Sequence, residues 1–338
     1  MKKNSLLTRV GNIFLAVGLS ACGGGGSDQL AVPPGPAAAT LHTVGVTATD
    51  ASLSTAFGTS HAAYINAAVT ARNRLFVFFG ATDAPPQNYT LISSAAANAG
   101  FHSIALAYPN GPETISQLCA GIADPNCTGK VRAEVLTGAD TSSQIVVSAS
   151  NSVGNRLAKA LVYLNAQFPG ENWGQYLDAG GNVRWNLVRA SGLSQGGGLA
   201  AYIAKTTTVD RGCYFSSPAD WYDIGDVPPT WITAAATQTA ASAQFGFNHE
   251  ADLLVPLAHI RTVWTALGFD AFGASVRVDG ASGFSGSHEL TTALGTAAMA
   301  HTSTAADAST PLDTSRPTTQ YPAGTPAYLP VWNYACFQ

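Results

Sequence analysis

NLVRASGLSQGGGLAAY, residues 186–202, begins as an apolar strand, turns through Gly192-Leu193-Ser194-Gln195-Gly196 and continues as a helix of small residues. A G-x-S-x-G turn between a strand and a helix is a nucleophile elbow. The turn strains the backbone of its central serine, and strand and helix meet so closely that a Cβ on either flanking residue would collide. Gly192 and Gly196 meet that demand, which makes Ser194 the candidate nucleophile. Gly197, Gly198 and Ala200 let the helix lie close on the sheet while its N-terminal N–H groups point at the reaction centre. The plain alternative is a Gly/Ser loop in a chain with 34 glycines; the strand before and the helix after argue against it.

Outward from the elbow, strands alternate with helices. Residues 41–46 and 62–69 read as short strands, and Arg74 to Phe79 is a continuous apolar run of the kind found in a buried strand. A helix over 89–98, stopped by Gly100, leads to a strand at 103–108, which makes a βαβ unit with parallel pairing. Residues 112–150 are less regular and read as an excursion over the sheet edge. A helical period returns at 152–168. Beyond the elbow come strands at 211–216, 243–247 and 274–278, a helix at 255–267 and a loop at 282–288. The expectation is one α/β domain over residues 41–338, a mostly parallel doubly wound sheet with helices on both faces and the site at the carboxyl ends of the strands. A cap is expected at about 221–242, where Trp221, Tyr222 and Trp231 either line an apolar acyl pocket or pack the cap on the sheet.

A serine hydroxyl needs a base within hydrogen-bond reach and a third group to orient that base. Asp252 lies just past a strand end, 58 residues after Ser194, and His288 lies 36 residues further on, in the loop after the strand at 274–278. Glu250 is the alternative acid and His301 the alternative base. His259 falls inside a helical run, while His42, His61 and His102 precede the serine and match no catalytic position.

The segments GLSQGG, NHEADLLVP and GSHELTT resemble the three triad positions of α/β-hydrolases, and FFGAT resembles the strand end carrying their oxyanion loop. His249 to Pro256 is similar to the H-G-x-D-x-x-V-P pattern of the depolymerase and esterase branches, which carries the acid role onto Asp252. AYPN, the two-cysteine segment, RWNLVRASGLSQGGG and PVWNYAC resemble a little-characterised family of exported bacterial α/β-hydrolases. Leu193 stands where those branches carry histidine, and Glu250 where they carry glycine. The resemblance implies a serine hydrolase acting on carboxylic esters, small or polymeric, with an amidase or peptidase as the alternative on the same triad and a non-catalytic binding lipoprotein as the alternative of another class. The oxyanion donors would be the backbone N–H of Gln195 and that of Ala81 or Thr82. The mechanism calls for no metal and no organic cofactor.

Lys2, Lys3 and Arg9, the apolar run 13–17 and Leu19-Ser20-Ala21-Cys22 form an export signal over residues 1–21. The Leu-Ser-Ala-Cys segment resembles a bacterial lipobox, which implies a lipid anchor on Cys22 and a periplasmic or cell-surface position. Residues 22–40 are a Gly- and Pro-rich tether. A net charge of −4 and 11% charged residues, with no basic cluster after the signal, argue against a nucleic-acid partner. The remaining four cysteines suggest disulfides in an exported chain, with Cys119 and Cys127 the nearer pair and Cys213 with Cys336 a second by arithmetic alone. Zinc at Cys119 and Cys127 is disfavoured by their spacing.

Overall fold

The computed structural model describes residues 37–281 and 283–338. Its sheet is built on three strands buried at every position: β3 (Leu75–Phe79), β4 (His102–Leu106) and β5 (Val188–Leu193). Total burial is what a parallel strand covered on both faces requires. Successive side chains of β3 alternate between the two faces, Leu75, Val77 and Phe79 entering one core and Phe76 and Phe78 the other.

The remaining strands are β1 (Thr40–Gly45), β2 (Ser60–Ile65), β6 (Arg211–Phe215), β7 (Gln244–His249), β8 (Val276–Arg277) and β9 (Glu289–Thr292). They assemble in the order β1-β2-β4-β3-β5-β6-β7-β9-β8. β2 runs antiparallel to both neighbours, and every pairing from β4 onward is parallel. This is the α/β-hydrolase fold, with the elbow on the central strand β5.

Among the described residues the α-helices are α1 (Val46–Thr49), α2 (Thr90–Asn98), α3 (Ile115–Cys119), α4 (Cys127–Thr137), α5 (Val153–Gln167), α6 (Gln195–Thr206), α7 (Thr230–Thr233), α8 (Leu257–Ala266), α9 (Ala300–Ser303) and α10 (Leu329–Trp332). On one face α4, α5, α6 and α8 bury Val131, Leu157, Leu161, Ile203 and Ile260. On the other α2 and α10 bury Ile92, Ala96, Val331 and Trp332 against Phe76, Phe78 and Phe247. Each large apolar side chain so buried contributes about 1.5–3 kcal/mol.

The excursion at 112–150 contains α3 and α4, stapled by a Cys119–Cys127 disulfide with Cα atoms 5.8 Å apart. Its irregular part hangs from one buried carboxylate: Glu134 on α4 accepts from the N–H groups of Thr141, Ser142 and Val147 at 3.2, 3.0 and 2.9 Å. Cys213 and Cys336 are buried free thiols, so the second pairing is not formed. In the cap region Trp231 is buried and donates to Asp220 at 3.0 Å, and Trp221 stacks on His259 at 4.0 Å. Of the two readings of the cap aromatics, packing is the one these residues adopt. Across the molecule, Asp307 accepts from Thr90 N and Leu91 N at 2.8 and 2.9 Å and so caps α2, whose own N-cap residue supplies no side-chain bond.

Three histidines are packed away as neutral rings. Burial drives the His61 pKa down to about 3, with Arg156 adding to the effect, and burial also lowers those of His102 and His288. Folded-state values below 6.5 mean that the unfolded chain binds more protons as pH falls, so the stability these rings confer is complete above 6.5 and drains away below it. Glu289 and Asp307, whose carboxyl pKa values burial raises, act in the opposite sense. Thermal melts from pH 7.5 to 5 should therefore fall. His61→Asn, which keeps an acceptor for the Ala107 N–H now bonded at 3.0 Å, should flatten the slope by up to about 1.4 kcal/mol per pH unit. An unchanged slope in that variant would exclude His61 as a contributor.

Candidate active site

Ser194 has φ 55° and ψ −118°, a region that side-chain-bearing residues rarely enter. It directly follows β5 and immediately precedes α6. Its N–H donates to Phe215 O at 2.8 Å, and its carbonyl accepts from Gly198 N at 3.0 Å. A Cβ at Gly196 would strike the carbonyls of Phe79 and Gly80, so only glycine lets the elbow press against the end of β3. At Gly198 the missing Cβ makes room for the guanidinium of Arg132.

Asp252 follows β7 in a tight turn. Its Oδ1 accepts from Leu254 N and Val255 N at 2.9 and 3.1 Å, and its Oδ2 lies 2.8 Å from His301 Nδ1. The carboxylate is fully buried and the imidazole nearly so. His301 sits on α9, whose carbonyl at that residue accepts from Ser216 Oγ at 2.8 Å. Ser216 is itself at φ 47°, at the end of β6. Ser194 and His301 line one cavity of about 480 Å³, with Asp252 buried behind the histidine.

The structure therefore brings His301, not His288, to Asp252. His288 stands at the opposite end of the sheet: it immediately precedes β9, and its Nδ1 lies 2.7 Å from Gln244 O at the start of β7. Phe245 and Phe272 stack on the ring at 3.9 Å each. The strand at 274–278 expected from sequence is only the two-residue edge strand β8, and β9, inserted between β7 and β8, carries the chain back to the catalytic end after His288 has passed. Glu250 is also displaced from the acid role. It pairs with Arg277, Nε to Oε1 at 3.0 Å, and accepts from Thr291 Oγ1 at 2.9 Å, and that arginine holds its carboxyl below the usual range.

Of the two oxyanion candidates on the β3 loop, Ala81 is excluded because its N–H already donates to Tyr89 Oη at 2.8 Å. The N–H groups of Thr82 and Gln195 have no hydrogen-bond partner among the described residues, and both residues line the Ser194 cavity. The first N–H groups of a helix lack intrahelical partners, which leaves Gln195 N–H open by construction. The Gln195 side chain has a part the sequence did not disclose. Its Oε1 accepts from Thr82 Oγ1 at 2.9 Å and from Ile115 N at 3.2 Å, tying the elbow, the β3 loop and α3 together.

Arg132 was likewise missed, since its carboxylate partner lies 88 residues away. It is buried, bonds Asp220 through two nitrogens, and donates to Gln195 O at 3.1 Å. The Trp231 indole donates to the same carboxylate, so the cap is anchored to the elbow through a buried ion pair. Trp221, Tyr222 and Trp231 are not among the residues lining the Ser194 cavity.

No family model matches the chain, and no curated protein does. Among solved structures it is similar to MGS-M1, an alpha/beta hydrolase enzyme from a Medee basin deep-sea metagenome library, at 12% identity and a TM-score of 0.34 over 68% of this chain and 78% of that one. It is also similar to Thermogutta terrifontis esterase 2 phosphoramylated by tabun, at 16% identity and a TM-score of 0.39 over 70% and 80% of the two chains. Likenesses this slight add nothing to what the strand order and the elbow themselves establish.

Proposed function

We propose that the chain is a serine hydrolase that cleaves carboxylic esters through Ser194, His301 and Asp252. The observation that carries this reading is the 2.8 Å contact between Asp252 and His301 in the wall of the cavity that holds the elbow serine. His301 takes the Ser194 proton as the hydroxyl attacks the acyl carbonyl. Asp252 fixes the imidazole tautomer with a proton on Nδ1 and stabilises the imidazolium that forms. Gln195 N–H and Thr82 N–H receive the oxyanion, a single such donor being worth about 3–4 kcal/mol in the transition state. The acyl-enzyme forms as His301 protonates the leaving alcohol, and water releases the acid by the same route.

The export signal and Cys22 lie outside the described residues. We propose the lipid anchor on Cys22 from sequence alone, with the tether holding the hydrolase off the membrane. Among the described residues no helix is long and apolar enough to cross a membrane.

Fluorophosphonate labelling of the purified protein should disappear in Ser194→Ala, and ester turnover should fall by about five to six orders of magnitude in Ser194→Ala and in His301→Ala. His288→Ala should instead cost about 1–3 kcal/mol of stability through lost packing and hydrogen bonds while leaving labelling intact. Labelling that survives Ser194→Ala, or that vanishes in His288→Ala while persisting in His301→Ala, overturns the assignment. Gln195→Ala keeps the backbone donor and removes only the side-chain tie, so kcat/KM should drop by about tenfold, the equivalent of one to two hydrogen bonds. A p-nitrophenyl ester compared with the matching anilide separates esterase from amidase.

A further inference from the structure

A second cavity of about 220 Å³ adjoins the Ser194 cavity, and the two share Ile115 and Gln195 as their common wall. Its lining is mainly apolar, with Phe57, Pro112, Leu118, Val135 and Ile145 prominent and Glu113 the one ionisable side chain. His301, Thr302 and Leu254 line the first cavity and not the second.

That division gives the substrate a direction. During attack the carbonyl oxygen must face Gln195 N–H and Thr82 N–H, and the leaving alcohol must face His301, which protonates it. The remaining substituent on the carbonyl carbon, the acyl chain, is directed away from His301, and Ile115, shared with the second cavity, lines the same cavity as Ser194. We propose that the second cavity is the acyl subsite and takes the distal carbons of an unbranched aliphatic acyl chain. This rests on the serine-hydrolase reading and deepens it.

The boundary between the two cavities is built rather than incidental. The Gln195 carboxamide is held by Thr82 and by the Ile115 N–H, and α3, which begins at Ile115, is tied at its other end by the Cys119–Cys127 bridge. A preorganised boundary costs little in ordering when a ligand binds across it. Val146, 95% exposed, also lines the second cavity, so the cavity communicates with solvent there and a chain that outgrows it gains nothing further.

The test is a series of p-nitrophenyl esters from acetate to decanoate on the purified protein. From propionate upward, kcat/KM should rise about fourfold for each methylene that enters the cavity, then level off. Ile145 lines the second cavity alone. Ile145→Trp should lower the octanoate-to-acetate ratio of kcat/KM at least tenfold, and Ile145→Ala should raise it. Val162→Trp, on a separate open surface groove, should leave the ratio at the wild-type value. A flat acyl profile, or a ratio unmoved in both Ile145 variants with melting temperatures intact, overturns the proposal. Fluorophosphonate labelling separates the two readings: an unlabelled wild-type protein sinks the hydrolase itself, whereas a labelled one with an unmoved ratio sinks only the acyl subsite.

Discussion

The backbone of Ser194 at φ 55° is the constraint on which the rest of the site depends. Such a conformation costs on the order of 1–3 kcal/mol and persists only where its surroundings over-determine it. Here β6 supplies a carbonyl for the Ser194 N–H, α6 supplies a donor for its carbonyl, and two glycines allow β3 and α6 to close on the turn. The serine stands half-buried at the carboxyl end of the sheet, in the wall of the cavity, because no relaxed backbone would fit between those elements. Once it is there, the open N–H of Gln195 follows from its being first in the helix, and the partner loops need only bring a base and a second donor.

Bringing His301 to Asp252 is harder, since the two are separated by 49 residues and by β8 and β9. The fold solves this with fixed points outside the triad. Asp252 is held by two backbone N–H groups of its own turn, the His301 carbonyl by Ser216, and the segment after α9 by Asp307 capping α2. The Arg132–Asp220 pair performs a similar service for the elbow. A buried ion pair adds little net stability, but this one gives the Gln195 carbonyl and the Trp231 indole buried partners, so cap and elbow keep one relative position.

The sequence made the elbow, the Asp252 turn and the sheet class legible because each has a local signature: G-x-S-x-G between strand and helix, an Asp just after a strand, unbroken apolar runs such as Leu75–Phe79. It set His288 rather than His301 beside Asp252 because β9, Glu289-Leu290-Thr291-Thr292, carries one strong hydrophobe and no clear period, while the more regular 274–278 stretch contributes just two residues to the sheet edge. Reading the second as the last strand put His288 past its carboxyl end, when it in fact stands at the foot of β9. Direction along a strand decides which end of the sheet a loop reaches, and a missed strand reverses it. The Gln195 tie and the Arg132 anchor were invisible for another reason: both join residues 63–113 positions apart, and nothing in the neighbouring sequence marks either partner.

On the proposed reading, chemistry and selectivity are carried by different parts of this chain. The strand ends fix Ser194, Asp252 and the open N–H groups of Thr82 and Gln195, and they tolerate little change because each close approach is already at contact. The excursion at 112–150 touches the site at Ile115 and reaches the elbow through Gln195 and Arg132. It is stapled by its own disulfide and suspended from its own buried carboxylate, Glu134. A segment braced in that way can alter the second cavity through Leu118, Val135 or Ile145 without moving the serine. Leu254, strongly exposed beside the Asp252 turn, adds aliphatic surface to the cavity that His301 also lines. An apolar substrate would therefore meet hydrocarbon on both sides of the scissile bond, with polar groups confined to the few atoms that stabilise charge.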